Sequence, residues 1–183
     1  MTRPDVCVVG LGYIGLPTAG IFADRGLRVH GVDVNPSTVD AVSSGRVPFV
    51  EPDLGGYIAR AIAAGTLTAS TEPGPASTYI IAVPTPFLED RSADLSYIES
   101  ATRAVAKHLD GSELLILEST SPPGATHRMA EVVFEVRPEL ADANLKFAHC
   151  PERVLPGKVM VELVTNDRIV GGITPEAAEA AKS

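Results

Sequence analysis

Residues 6 to 33 constrain this chain more than any other stretch. An apolar run, Val6 to Val9, leads into Gly10-x-Gly12-x-x-Gly15. A segment with apolar residues at helical spacing follows (Ile14, Ile21, Phe22), and then a second apolar run, Leu27 to Val32, that ends on Asp33. Three glycines alone are a weak signal. Between a strand and a helix, with an acid eighteen residues beyond the last glycine, they form a dinucleotide-binding arrangement. In it Gly10 lets the chain turn tightly, Gly12 lets the backbone approach a pyrophosphate, and Gly15 lets helix and strand pack closely. The pyrophosphate would rest on unpaired N–H groups at the helix start. Asp33 would accept hydrogen bonds from the adenosine ribose and repel a 2′-phosphate, so NAD is expected rather than NADP.

The same stretch is uncharged from Val6 to Ala23, a length that also fits a membrane span or a secretory h-region. Four glycines and Pro17 interrupt it, Asp5 and Asp24–Arg25 flank it, and no basic segment precedes it. Pro17 is tolerable in a first helical turn, where its missing N–H breaks no intrahelical bond. With 45% hydrophobic and 21% charged residues the chain is globular, and its 183 residues fit one domain with a proper core. A net charge of −8 argues against a general nucleic-acid or anionic-membrane surface, so an anionic ligand must be held by local amides and a few placed cations. Two cysteines, Cys7 and Cys150, are too few for a disulfide framework, and Cys7 reads as a small core residue. With no targeting signal the expected location is cytoplasmic. None of His30, His108 or His127 has metal-ligand spacing, and no metal site is expected.

Strand-like runs alternate with helical patterns throughout. Strands are expected near 5–9, 28–32, 67–69, 78–83, 113–117, 145–148 and 168–171, and helices near 14–25, 36–44, 52–64, 95–109 and 123–137. Gly26 and Gly65 read as helix stops, and Asp94–Leu95–Ser96 as cap candidates. The expected fold class is therefore α/β: a doubly wound parallel sheet of the Rossmann type with helices on both faces. Residues 1–173 form its domain. Thr174–Pro175–Glu176 reads as a further helix start, with 174–183 the beginning of a helix leading into more chain, since so short a helix is marginal without partners.

In such a sheet ligands bind beyond the carboxyl ends of the strands. Four loops leave those ends with unusual composition: the glycine loop, Val83-Pro84-Thr85-Pro86, Glu118-Ser119-Thr120-Ser121-Pro122-Pro123-Gly124, and His149-Cys150-Pro151-Glu152-Arg153. Each also has a plain reading. Proline and hydroxyl residues suit turns and caps, Glu152 and Arg153 could be a solvated charge pair, and Cys150 has no His/Asn arrangement to make it a nucleophile.

With these segments in order (GLGYIGLP, VDVN, EPDL, VPTP, ESTSPPGAT, CPER and NDRIVGG), essentially the whole chain resembles the NAD-binding domain of the UDP-glucose/GDP-mannose dehydrogenase family. The resemblance implies oxidation of the C6 alcohol of a UDP-sugar to a uronic acid with two NAD⁺, through a cysteine-bound intermediate. CPERVLPG followed by NDRIVGG looks most like the branch that acts on UDP-N-acetyl-mannosamine; a UDP-glucose or GDP-mannose branch is the alternative. Carried onto this sequence, the resemblance implies cofactor contacts from Gly10, Gly12, Tyr13, Ile14, Gly15, Asp33, Pro84, Thr85, Ser119 and Thr120. It implies a proton-handling or water-positioning role for Glu152, and a sugar border at Glu152, Arg153, Val154 and Leu155.

The UDP-glucose branch places a second glutamate four residues after the first; here Pro156 stands in that place, and that role does not carry over. The family's cysteine nucleophile, lysine and asparagine are expected beyond residue 183, so the 183 residues are expected to bind NAD without completing the reaction. The full-length enzyme is expected to be a homo-oligomer that binds a UDP-sugar and neither nucleic acid nor membrane. Two other readings compete: a stand-alone NAD-binding module, and a 2-hydroxy-acid or 3-hydroxyacyl dehydrogenase. The last would need a catalytic His arrangement that is not evident.

Overall fold

The computed structural model describes residues 3–182. Six strands, β1 (Val6–Val9), β2 (Val29–Val32), β3 (Leu67–Ser70), β4 (Thr78–Ile81), β5 (Leu114–Leu117) and β6 (Lys146–His149), run parallel, and a two-residue strand β7 (Gly171–Gly172) closes one edge. Their order in the sheet is β3-β2-β1-β4-β5-β6-β7. The chain therefore winds outward from β1 in one direction, then returns and winds the other way from β4. Helices α1 (Gly15–Asp24), α2 (Pro36–Ser43), α3 (Leu54–Ala64), α4 (Ser96–Ala106), α5 (Ala125–Val136), α6 (Val159–Thr165) and α7 (Pro175–Lys182) complete the fold. No helix among the described residues is long and apolar enough to cross a membrane.

Strand periodicity divides the interior into two cores. In β1, Val6 and Val8 face one side and Cys7 and Val9 the other; in β4, Ile80 faces the first side, and Tyr79 and Ile81 the second. The first core packs under α1 and α3, with Leu16, Leu54 and Ile58 fully buried. The second packs under α4 and α5, with Ile98, Val105, Met129 and Val133. Each such side chain contributes about 1.5–3 kcal/mol of burial. Because both faces are covered, the central strands β1 (VCVV) and β5 (LLIL) are continuous apolar runs, while β2, β3 and β6 admit His30, Thr68 and Lys146. At Gly20 a Cβ would come 3.1 Å from the Ile58 Cδ1, so that glycine sets how closely α1 and α3 approach.

The local signals act where the sequence placed them. Asn35 caps α2 by accepting from the Ser37 N–H at 3.0 Å, with Pro36 at the first helical position. Gly26 (φ +90°) and Gly65 (φ +72°) end α1 and α3 in left-handed conformations. Asp94 accepts from the Ser96 N–H at 2.9 Å at the start of α4.

The structure departs from the sequence-based expectation in two places. The last strand lies at 171–172 rather than 168–171, and it is antiparallel, with Gly171 paired to His149. The segment between β6 and β7 stays at the carboxyl end of the sheet, so the chain can only re-enter running downwards. That segment also holds α6, which is absent from the expected helices. Its sequence, VMVELVT, is rich in β-branched residues and has no local cap. Its first amide, that of Val159, is instead satisfied by the carboxylate of Glu51, 108 residues away.

Candidate cofactor and active site

A cavity of about 1210 Å³ opens at the carboxyl ends of β1 and β4, where the winding of the sheet reverses. That is the crevice in which open α/β sheets hold their ligands. Its walls include Gly10, Gly12, Tyr13, Ile14 and Asp33 on one side, Pro84 and Thr85 above β4, and Glu118, Ser119, Thr120 and Glu152 on the other side.

The three glycines differ in their surroundings. Gly10 has φ +96°, and a Cβ there would lie 2.6 Å from the Ala82 carbonyl oxygen. A Cβ on Gly15 would run into the Gly10 carbonyl, so helix and turn could not meet. Gly15 therefore packs behind the cavity wall and does not line it. Gly12 has ordinary backbone angles, and a Cβ there would meet nothing within 4 Å. Among the described residues nothing crowds position 12, so its backbone stands open to the cavity. Beside it α1 has its N-cap at Ile14 without a side-chain bond. The Leu16 N–H donates to the Gly12 carbonyl at 3.2 Å and Pro17 has no N–H, so the amides open to an anion here are those of the turn leading into the helix.

Asp33 sits half-buried at the end of β2. One carboxylate oxygen accepts from the Leu11 N–H at 2.9 Å and the other from the Asn35 N–H at 2.9 Å. It thus pins the glycine loop to β2, and its remaining lone pairs border the cavity as a ribose diol requires. Tyr13 stacks on Phe49 with ring centroids 4.5 Å apart and donates to the Val50 carbonyl at 3.1 Å. The Thr85 hydroxyl is buried with no hydrogen-bond partner among the described residues, and Thr85 lines the cavity. An orphaned hydroxyl of this kind costs about 1–3 kcal/mol and is the sort of group a bound ligand satisfies. The open space before Gly12, the uncapped helix start and this hydroxyl together fit a dinucleotide.

The opposite wall rests on an ion pair that the sequence did not reveal. Glu118, at the end of β5, is 3% exposed; it accepts from the Thr18 hydroxyl of α1 at 3.0 Å and pairs with the Arg168 guanidinium. Burial pushes the Glu118 carboxyl up, the Arg168 charge and the Thr18 hydroxyl oppose that, and the negative charge of Glu152 adds to the rise. Arg168 Nε also donates to Cys150 Sγ at 3.2 Å, so this thiol is held inside the pair and not aimed at the cavity. His149 Nε2 lies 2.9 Å from the Ser119 carbonyl oxygen. Glu152 lines the cavity with one oxygen accepting from the Val154 N–H. Its other oxygen has no protein hydrogen bond among the described residues.

Of the expected sugar border, the structure brings only Glu152 to the cavity. Arg153 is exposed and its carbonyl accepts from Asn166 Nδ2 at 3.3 Å; Leu155 is 61% exposed, and its amide donates to Glu162 at 2.8 Å. Val154 is half-buried and engaged with Glu152. These residues face outward because 153–158 forms a loop over the rim, held by Glu51, whose carboxylate accepts from the Gly157 and Val159 amides at 2.9 Å each. Neither Glu51 nor Arg168 has a local sequence signal beyond lying in EPDL and NDRIVGG.

The profile of the UDP-glucose/GDP-mannose dehydrogenase family, NAD binding domain, matches residues 4–183. The chain is 51% identical over 184 residues to an NDP-N-acetyl-D-galactosaminuronic acid dehydrogenase of Ralstonia nicotianae, covering 97% of this chain and 44% of that protein. It is 50% identical over 182 residues to the UDP-N-acetyl-D-mannosamine dehydrogenase of Escherichia coli K12, covering 96% of this chain and 43% of that protein. Among solved structures, the UDP-N-acetyl-mannosamine dehydrogenase of Staphylococcus aureus superposes with a TM-score of 0.91 at 40% identity, over 97% of this chain and 44% of that one. The chain thus spans less than half the length of the relatives it matches. It belongs to the UDP-glucose/GDP-mannose dehydrogenase family and constitutes that family's NAD-binding domain.

Proposed function

We propose that this domain serves a UDP-sugar 6-dehydrogenase that oxidises the C6 alcohol of UDP-N-acetyl-D-mannosamine to the uronic acid with two NAD⁺. The observation that carries the reading is Glu152: it stands on the rim of the NAD cavity, on a segment bound to the sheet by a buried ion pair. The N-acetylhexosamine follows from the relatives at about half identity, which are named for N-acetylmannosamine and N-acetylgalactosaminuronic acid. Bound NAD⁺ supplies the hydride acceptor. Glu152, with one oxygen held by the Val154 amide, presents the other to take a proton from the substrate hydroxyl or a water. Asp33 orients the ribose, Gly12 admits the pyrophosphate, and Thr85 donates from above β4.

Neither cysteine suits the thiol chemistry. Cys7 lies inside β1, where burial pushes its thiol up to about 12, and Cys150 is held by Arg168. The nucleophile therefore belongs to the other half of such an enzyme. Residues 1–173 are the cofactor domain and 174–183 start the connection, in a cytoplasmic homo-oligomer. The test is calorimetry on this chain together with a sugar-oxidation assay. NAD should bind in preference to NADP, and Gly12→Ala should lower NAD affinity about tenfold or more while shifting stability by less than about 0.5 kcal/mol. UDP-sugar oxidation should be absent. Preference for NADP, or an unaffected Gly12→Ala variant, would refute the cofactor assignment; turnover by these residues alone would refute the division of labour.

A further inference from the structure

Glu51 does not line the cavity, yet it is only 8% exposed, and both of its carboxylate oxygens are used. They accept from the Gly157 and Val159 amides, at 2.9 Å each, across a separation of more than a hundred residues. No cation pairs with it among the described residues. A buried carboxylate without a counter-ion is costly unless its hydrogen bonds are well made, and charge-assisted bonds to two amides of one segment form a stiff clamp. Gly157 takes φ +82°, a bend that turns its amide toward the clamp.

The residues just before Glu51 belong to the cofactor side. Phe49 stacks under Tyr13, and the Val50 carbonyl accepts from the Tyr13 hydroxyl. Tyr13 lies next to Gly12 within the pyrophosphate loop. One continuous path therefore runs from that loop through Phe49 and Val50 to Glu51, and from Glu51 to the segment that begins with Glu152.

We propose that Glu51 is a positioning residue that couples cofactor binding at the glycine loop to the order of the 152–159 segment, so that Glu152 is set in place when NAD is bound. The proposal rests on the cofactor reading above. A ligand against Gly12 fixes Tyr13, Tyr13 fixes the Phe49–Val50 backbone, and Glu51 transmits that to the Gly157 and Val159 amides. By linkage, ordering that segment also tightens the cofactor site.

Amide hydrogen exchange of the full chain, with and without saturating NAD, tests this when calorimetry is run on the same samples. In the wild type NAD should slow exchange at Gly157 and Val159 about tenfold. In Glu51→Ala those amides should exchange fast and ignore NAD, while β4 and β5 amides keep their protection. Glu51→Gln retains one acceptor and should give an intermediate response; it decides the matter if the alanine variant loses core protection. NAD binding with unchanged exchange at these amides overturns this proposal alone, as do variants that respond like the wild type. Absence of NAD binding by the wild type overturns the cofactor reading and this proposal with it.

Discussion

The two walls of the cofactor cavity are built differently. The wall after β1 is made of backbone: a glycine turn, an uncapped helix start, and Asp33 bonded to amides 22 and 2 residues away. The wall after β5 and β6 is made of side chains that meet from afar: Thr18 to Glu118 across 100 residues, Glu118 to Arg168 across 50, and Glu51 to Gly157 across 106. The first wall's glycines and Asp33 lie within one strand–helix–strand unit. The second exists only when both halves of the sheet are in place. Recognition of a common cofactor is thus entrusted to local geometry, and placement of the reacting groups to the completed fold.

Three substitutions sharpen or break that contrast. The largest effect should come from Gly15→Ala, which drives a Cβ into the Gly10 carbonyl; about 3 kcal/mol of stability should be lost in urea denaturation. A variant within about 0.5 kcal/mol of wild type would mean that the backbone wall yields and is not rigid.

Next, Arg168→Met leaves Glu118 buried without its cation. Loss of a buried partner costs about 3–5 kcal/mol, which becomes about 2–3 at pH 7 here because Arg168 is one-third exposed and partly screened by water. Burial already raises the folded-state pKa of Glu118, so the folded protein holds that proton to higher pH than the unfolded chain does. Stability from this group therefore falls as pH rises past the ordinary glutamate range. Without Arg168 the rise is larger, and the variant should recover part of its deficit between pH 7 and pH 5. An equal deficit at both pH values would show that Glu118 does not feel Arg168.

The smallest effect belongs to Asp33→Ala, which should weaken NAD binding by about 1–3 kcal/mol in calorimetry. Because Asp33 also holds the Leu11 and Asn35 amides with its two oxygens, stability should fall by about 1 kcal/mol as well, while Asp33→Asn retains one acceptor and should lose less. Unchanged NAD affinity in Asp33→Ala would remove Asp33 from the ribose site.

The same contrast explains how far the molecule is legible in its sequence. The central strands β1 and β5 are apolar runs, α1, α3 and α5 carry their own apolar stripes, and Gly26 and Gly65 mark two helix ends. Gly10, Gly12, Gly15 and Asp33 are spaced within one unit, so their arrangement can be read locally. α6 could not be read because its cap is Glu51, far away in sequence, and its Val-rich stretch has no helical signature. Glu118 and Arg168 each look like an ordinary charge beside a turn; only the folded sheet shows that they share one buried position. The outward turn of Arg153 and Leu155 follows from the Glu51 clamp and from Glu162, neither of which announces its partner.

The antiparallel pair of glycines at β7 has a consequence outside the active site. A parallel sheet that stopped at β6 would offer four residues of open backbone to any passing strand, an invitation to edge-to-edge aggregation. β7 occupies that edge with only two residues. α7 then lies so close over it that a Cβ on Gly172 would strike the Ala178 amide. On this side the sheet ends in two residues with α7 against them, too short an edge to template a neighbouring strand.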